Sequence, residues 1–428
     1  MNTQVRVAVA LSAAFLMLAA SIMLGPHVSA QSGPPSLGSV TVSTTALSSC
    51  PTYTTSSGTV SFYSGMTCYD GSEAGCPNTA DTTTNPFPFV VGYAKPTTGT
   101  VNGTIVFLSG GDGNTPTLDP GSENNFADDY FKAGYQVVQI AWGTPEGPIT
   151  PWEDNGLAAS AKNVGYAACR PASFLSWVYN NLYLPIQHNL SKAGMCAQGT
   201  SAGSAAIAYS LAWYAAGAGT NSDLLDKVEL LSGPVLSDIE QGCAVYPFSE
   251  SVTVCPSVNG VQQFGCNPAN SPSSWSLEPY YTGAVVGVRG WTGDNSCRNG
   301  NYTSSASNEN WKDMSIVDDG VYGHFSYPNT SMSAWLCSSV YTGDGDNDDT
   351  PNNSSPQGEL FYAQITGSSQ VGKLYRINGV TNCDTSEGVA GQNATAPGGV
   401  AGSGYSAIKT DMLTGTDGTN GCVHPQTQ

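Results

Sequence analysis

The chain has 428 residues, of which 11% are charged, and 13 basic against 32 acidic side chains give a formal net charge of -19 at pH 7. We expect so acidic a protein to repel nucleic acid and anionic membrane surfaces, because both bind clustered Lys and Arg. The length allows two average domains, although α/β folds often continue as one larger domain.

The residues at the N-terminus follow the pattern of an export signal. Arg6 precedes an apolar run over residues 7–24, and Val28-Ser29-Ala30 supplies small residues that suit signal peptidase. We predict a removable signal peptide over 1–30. A retained membrane anchor is the alternative, because the run approaches the ~18 residues needed to span a bilayer. The processed chain, 31–428, is expected to be secreted, extracellular or periplasmic, with no membrane contact.

All 12 cysteines follow the predicted signal peptide. An even number of cysteines in an exported chain favours disulfides over metal ligation or free thiols. Four cysteines lie in one loop-rich stretch and are expected to form disulfides within it: Cys243, Cys255, Cys266 and Cys297. Cys337 and Cys383 lie near the ends of two predicted strands and could join those strands. No cysteine pair has zinc-site spacing with histidines, so neither a metal nor a cofactor is predicted.

Short apolar runs alternate with helical patterns along the chain, which is typical of an α/β fold with a mostly parallel sheet covered on both faces. The patterns predict strands at 59–63, 88–93, 103–108, 136–141, 194–198, 227–231, 331–338 and 372–377, and helices at 125–133, 168–181, 204–216 and 405–413. Residues 240–325 interrupt this rhythm. They are rich in Ser, Gly, Asn and aromatic residues, and we interpret them as a cap over a site or as a disulfide-stapled structural excursion.

A serine stands between the predicted strand 194–198 and the helix that follows it. The sequence there is Gly199-Thr200-Ser201-Ala202-Gly203. This G-x-S-x-G pattern, between a buried strand and an alanine-rich helix, is typical of a nucleophile elbow, in which a tight turn presents the serine at the rim of the sheet. Glycines flank such a turn because larger residues would collide with the chain entering or leaving it. An ordinary glycine-rich strand-to-helix loop is the alternative.

Three motifs together resemble the α/β-hydrolase superfamily, and within it the exported bacterial hydrolase-like proteins. They are Cys169-Arg170-Pro171-Ala172, the elbow segment Cys196 to Ser204, and Ser232-Gly233-Pro234 with Gly242-Cys243 beyond. The resemblance covers roughly residues 55 to 422. It implies an α/β-hydrolase-type sheet with a disulfide-rich cap insertion, and it implies the position of Ser201 in that sheet.

The resemblance also implies where an oxyanion hole would lie. Such folds use the backbone N–H of the residue after the nucleophile and one from the loop after the third strand. Ala202 would supply the first, and Gly110 or Gly111, which follow the predicted strand 103–108, the second. The alternative is a glycine turn that only reverses the chain.

The acid is expected after the predicted strand 331–338. Asp349, followed by Thr350, resembles the superfamily position best, and Asp348, Asp346 and Asp238 are the alternatives. A calcium loop competes for the same aspartates. It departs from the usual loop pattern, because Asp349 stands where glycine is wanted and Ser355 where a bidentate glutamate is wanted.

The base is the unresolved part of the site. A serine needs a base within hydrogen-bond reach, usually histidine. No histidine follows the last predicted strand, where the superfamily would place it. His27 leaves with the signal peptide and His188 falls at the opposite sheet edge. His324 could act if the cap folds over Ser201, and His424 if the tail folds back. Otherwise the site is degenerate, with Asn382 at the lost position, or uses a base such as Asp384.

Two functions therefore follow from the sequence. The first is an exported serine hydrolase that acts on carboxylic esters, with a small-molecule or glycan ester as substrate. The second is a catalytically degenerate hydrolase-like protein that binds a glycan or a small neutral ligand in the retained pocket.

Overall fold

A computed structural model of the chain describes residues 36–55, 58–76, 86–97, 99–110, 113–117, 122–143, 152, 164–186, 193–214, 224–237, 257–258, 261–262, 315–316, 325–327, 330–337, 358, 361–362, 364–365, 375–380, 402–415 and 421–424. The predicted signal peptide, most of the predicted cap and several predicted site residues lie outside these ranges.

The described strands are β1 (Ser39–Val42), β2 (Thr52–Thr55), β3 (Gly58–Ser61), β4 (Thr67–Ala74), β5 (Phe87–Ala94), β6 (Gly103–Leu108), β7 (Gln136–Trp142), β8 (Gly194–Thr200), β9 (Lys227–Leu231), β10 (Ser257–Val258), β11 (Val261–Gln262), β12 (Ser331–Cys337) and β13 (Tyr375–Val380). The helices are α1 (Ser122–Lys132), α2 (Val164–Ala167), α3 (Cys169–Val178), α4 (Ala202–Tyr214) and α5 (Ser403–Thr414), and a π-helical turn, Tyr179–Tyr183, continues α3.

Nine of these strands form one sheet in the order β1-β4-β5-β7-β6-β8-β9-β12-β13. The pairs from β7 to β13 are parallel, and the β1-β4-β5 edge joins β7 in antiparallel fashion. The predicted α/β fold with a mostly parallel sheet is confirmed.

Two apolar cores lie on opposite faces of the sheet. Alternate residues of the central strands contact α3 and α4 on one face, through residues such as Val106, Ile140 and Phe174. The other alternate residues contact α1 and α5, through residues such as Phe107 and Met412. Because helices cover both faces, the central strands are buried along their whole length, as parallel strands usually are.

Three disulfides fasten the described chain: Cys50–Cys68, Cys76–Cys169 and Cys196–Cys422. The last one ties the C-terminal tail to β8 across a sequence separation of 226 residues. The cysteines predicted to staple 240–325, and Cys383, lie outside the described residues. Among the helices that the structure describes, none has the length and apolarity that a membrane crossing needs.

Candidate active site at the carboxyl edge of the sheet

Ser201 occupies a strained turn between β8 and α4. Its φ is 52°, in the left-handed region that residues other than glycine rarely adopt. The Ser201 N–H donates to the Leu231 carbonyl on the neighbouring strand at 2.9 Å, and the Ser201 carbonyl accepts from the Ala205 N–H at 3.1 Å. Ser204 Oγ donates to the same carbonyl. These bonds hold the backbone in a conformation that costs about 1–3 kcal/mol.

The flanking glycines allow a very close approach of backbone to backbone. A Cβ at Gly203 would lie 1.9 Å from the Leu108 carbonyl oxygen, and one at Gly199 would lie 2.5 Å from the Gly203 carbonyl carbon. Any side chain at either position would therefore force the turn apart. The end of β6 is thus held against the first turn of α4, beside Ser201.

Hydrogen bonds hold the two described parts of the loop after β6, residues 109–110 and 113–117. Ser109 Oγ donates to the Thr115 carbonyl. The Gly113 N–H donates to the Gly110 carbonyl at 3.1 Å, and the Gly113 carbonyl accepts from the Trp142 N–H at 2.8 Å. Gly110 consequently lies in a hydrogen-bonded position at the same sheet edge as Ser201, whereas Gly111 lies outside the described residues.

The Cys-Arg-Pro-Ala motif supports this loop through a tryptophan. Arg170 is buried in α3, donates from Nη1 to the Trp152 carbonyl at 2.9 Å, and places its guanidinium 3.9 Å from the centre of the Phe87 ring. A Cβ at Gly113 would lie 2.9 Å from Trp152 Cδ1. Arg170 thus holds Trp152 against the loop that contains Gly110.

The Ser201 side chain is more enclosed than the sequence suggested. Its exposed fraction is 0%, whereas we expected a hydroxyl presented at the rim of the sheet. The turn itself is as predicted. In this conformation Oγ is closed to solvent.

His424 is excluded as a base for Ser201, because the tail folds back onto the wrong edge of the sheet. His424 Nδ1 lies 2.9 Å from Asp226 Oδ1, and Asp226 Oδ2 accepts from the Met195 N–H at 2.8 Å. Asp226 and Met195 lie at the amino ends of β9 and β8. A strand rises about 3.3 Å per residue, so roughly 20 Å separate Met195 from Ser201.

The other predicted partners of Ser201 lie outside the described residues: His324, Asp349, Asp348, Asp346 and Asp238. The aspartate loop of the calcium alternative falls there too. Among the residues that are described, no three His, Cys, Asp or Glu side chains come together as a metal site.

A group of charged side chains lies in the core between β9 and α5. Lys227 Nζ contacts Asp411 Oδ2 at 2.8 Å and Glu229 Oε1 at 3.6 Å, and all three side chains are fully buried. Ser333 Oγ donates to Asp411, and the Trp335 indole N–H donates to Glu229. Burial, and then the Asp411 charge, raises the pKa of Glu229 well above its ordinary value. The group therefore contains a close Lys227–Asp411 contact and a Glu229 that favours its neutral form.

Sequence reasoning gave no role to Ser232, which the structure places beside Ser201. The Ser232 φ is 50°, and its N–H donates to the Trp335 carbonyl at 2.9 Å. The Ser-Gly-Pro motif marked this position, but a left-handed serine cannot be recognised from residue types alone.

The sequence matches no protein-family profile and no curated protein sequence. Among solved structures, the chain is similar to acetyl xylan esterase 1 from Thermoanaerobacterium, with 13% identity over 82% of this chain and 83% of that one and a TM-score of 0.41. It is also similar to a thermostable carboxylesterase from a metagenomic library (12% identity, 72% and 77% covered, TM-score 0.36). A third is an esterase from Pyrobaculum calidifontis (12% identity, 69% and 70% covered, TM-score 0.38). TM-scores below 0.5 are too low to support an inference about substrate or activity.

Proposed function

We propose that this protein is an exported serine hydrolase that cleaves carboxylic esters through Ser201. The observation that carries the proposal is the left-handed backbone of Ser201 at the end of a central parallel strand. Strain of this kind in a residue other than glycine is concentrated at functional sites. The close approach of Gly203 to the end of β6 also supports the proposal, because this approach brings the loop with Gly110 to the same turn as Ser201.

The proposed chemistry has two steps. Ser201 Oγ forms a bond to the ester carbonyl carbon while its proton passes to a base, and the alcohol leaves with that proton. Water then releases the acid by the reverse proton path. The backbone N–H groups of Ala202 and of Gly110 or Gly111 would hold the oxyanion. Each such donor contributes about 3 kcal/mol to the stability of the transition state.

We assign the base to His324 and the carboxylate that orients it to Asp349, with Asp348, Asp346 and Asp238 as alternatives for the carboxylate. The position of His424 supports this assignment by elimination, since His424 pairs with Asp226 at the far edge of the sheet. The disulfides of the described chain support an oxidising, extracellular or periplasmic location.

A binding protein without turnover is the second candidate. The complete burial of Ser201 favours it, because an enclosed hydroxyl can persist without a catalytic role. In that case a glycan or small neutral ligand would occupy the site and no ester would be cleaved.

Hydrolysis of p-nitrophenyl acetate by a set of matched variants separates the two candidates. Ser201→Ala should lower kcat/KM by about 1,000-fold or more. Ser210→Ala is the control, because Ser210 lies on the same helix and its hydroxyl donates to the Ala206 carbonyl at 2.6 Å. It should retain activity within about twofold.

A second pair of variants tests the assignment of the base. His324→Ala should lose activity to the same extent as Ser201→Ala, because the two residues act as a unit. His424→Ala should keep it. Activity that survives in Ser201→Ala, or a wild-type protein with no turnover, would overturn the hydrolase proposal.

A further inference from the structure

Ser232 lies next to Ser201 across two paired strands. In the register of β8 and β9, Thr200 is opposite Leu231, and each strand is followed directly by a serine in the left-handed conformation. Neighbouring strands are about 4.8 Å apart. The carboxyl edge of the sheet therefore carries two adjacent strained serines, of which the proposed reaction uses only one.

The chain after Ser232 packs on the first turn of α4. A Cβ at Gly233 would lie 1.8 Å from Ser204 Oγ, and Ser204 Oγ donates to the Ser201 carbonyl. Ser232 and Gly233 are therefore built into the same turn that holds Ser201. The loop with Gly110 lies on the β6 side of β8, whereas Ser232 lies on the β9 side.

The Ser232 hydroxyl has no hydrogen-bond partner among the described residues, although its exposed fraction is 0%. A buried hydroxyl without a partner is costly, and so is a left-handed backbone at a residue other than glycine. Both costs fall on one residue beside Ser201. Such a combination is expected where a ligand supplies the missing partner.

We propose that Ser232 Oγ binds the substrate and exchanges a hydrogen bond with a hydroxyl group of the ester. The inference rests on the proposed function of Ser201. It names the substrate class: esters that carry a free hydroxyl one or two carbon atoms from the ester group. The hydroxyl can belong to the alcohol or to the acid part of the ester, and Ser232 determines specificity for it.

Two isosteric pairs of esters test this. For the alcohol side, 2-hydroxyethyl acetate is compared with propyl acetate, and for the acid side, ethyl glycolate with ethyl propionate. Ser232→Ala should lower kcat/KM for the hydroxylated member of one pair by about 3- to 10-fold, the range for a neutral hydrogen bond. The apolar member should change by less than about twofold. Ser232→Gly, which suits the left-handed backbone, should show the same loss.

Ser331→Ala is the matched control. Ser331 is also buried and its Oγ also lacks a partner among the described residues, but it lies at the amino end of β12, where its N–H donates to the Asp226 carbonyl. Ser331→Ala should leave both pairs unchanged. If Ser232→Ala affects both members of each pair equally, or affects no ester, the proposed role of Ser232 is wrong, but the proposed reaction at Ser201 is not affected. If the wild-type protein cleaves none of the esters, the proposed reaction at Ser201 and the proposed role of Ser232 are both wrong.

Discussion

Gly203→Ala is the sharpest test of how the site is built. The new methyl group would lie 1.9 Å from the Leu108 carbonyl oxygen and 2.8 Å from that of Ser109. A real Cβ is essentially never within 3.0 Å of such an atom. The end of β6 and the first turn of α4 must therefore move apart by about 1.1 Å, because neither contact is with a flexible side chain.

This displacement has two measurable consequences. Overpacking by one methyl group in a tight core costs about 1–3 kcal/mol of unfolding free energy. The movement also takes Gly110 away from Ser201, and a misplacement of about 1 Å in a catalytic site can lower the rate by about 100-fold. We therefore expect Gly203→Ala to lose activity by about two orders of magnitude while it remains folded.

Urea unfolding followed by circular dichroism gives the stability, and p-nitrophenyl acetate hydrolysis well below the unfolding midpoint gives kcat. Gly65→Ala is the control, because the three atoms nearest to its Cβ, the first at 2.8 Å, all belong to the half-buried Tyr63 side chain and none to backbone. If Gly203→Ala stays within about 0.5 kcal/mol and twofold of the wild type, the close approach of β6 to the turn is wrong.

Three further predictions concern the buried charges and the tail. Burial raises the pKa of Glu229, so the folded chain holds that proton more tightly than the unfolded chain, and the wild type should lose stability as the pH rises from the ordinary glutamate range toward the folded-state pKa. Glu229→Gln removes this loss, and its stability relative to wild type in urea should increase with pH; a pH-independent difference would contradict it. Asp411→Asn removes the carboxylate that lies 2.8 Å from Lys227 Nζ, and should cost about 3–5 kcal/mol of unfolding free energy at pH 7; a loss below about 1 kcal/mol would contradict a strong buried ion pair between these two side chains. Replacing both Cys196 and Cys422 with Ser should cost about 2–5 kcal/mol but leave kcat/KM nearly unchanged at low temperature, because the disulfide lies at the opposite sheet edge from Ser201; a parallel loss of kcat would show that the two edges are coupled.

The central strands could be predicted from the sequence because burial leaves a continuous apolar signal. The predicted strand 103–108 coincides with β6, and 227–231 coincides with β9. β4 was missed, because Thr67–Ala74 carries Asp, Gly, Ser and Glu, which are depleted in strands. It forms at the antiparallel side of the sheet, where pairing with β1 and β5 outweighs propensity. A strand of this composition depends on pairing with its two neighbours, which no local sequence pattern records.

Some features of the candidate site could be predicted from the sequence and others could not. The turn at Ser201 was predictable, because the turn requires glycine at positions 199 and 203 and both glycines can be read from the sequence. The environment of Ser232 was not, since its φ, and a hydroxyl without a partner in the described part of the chain, depend on how β9 ends beside β8. The place of His424 also required the structure, because the tail is positioned by the Cys196–Cys422 disulfide, and disulfide connectivity cannot be read from a single sequence.

The identity of the nucleophile is tested most directly by mass spectrometry of the protein after reaction with a fluorophosphonate probe. We predict one adduct per chain, on the peptide that contains Ser201, and no adduct in Ser201→Ala. An adduct on a different residue, or an unlabelled wild-type protein across the whole pH range in which it is folded, would contradict the role of Ser201.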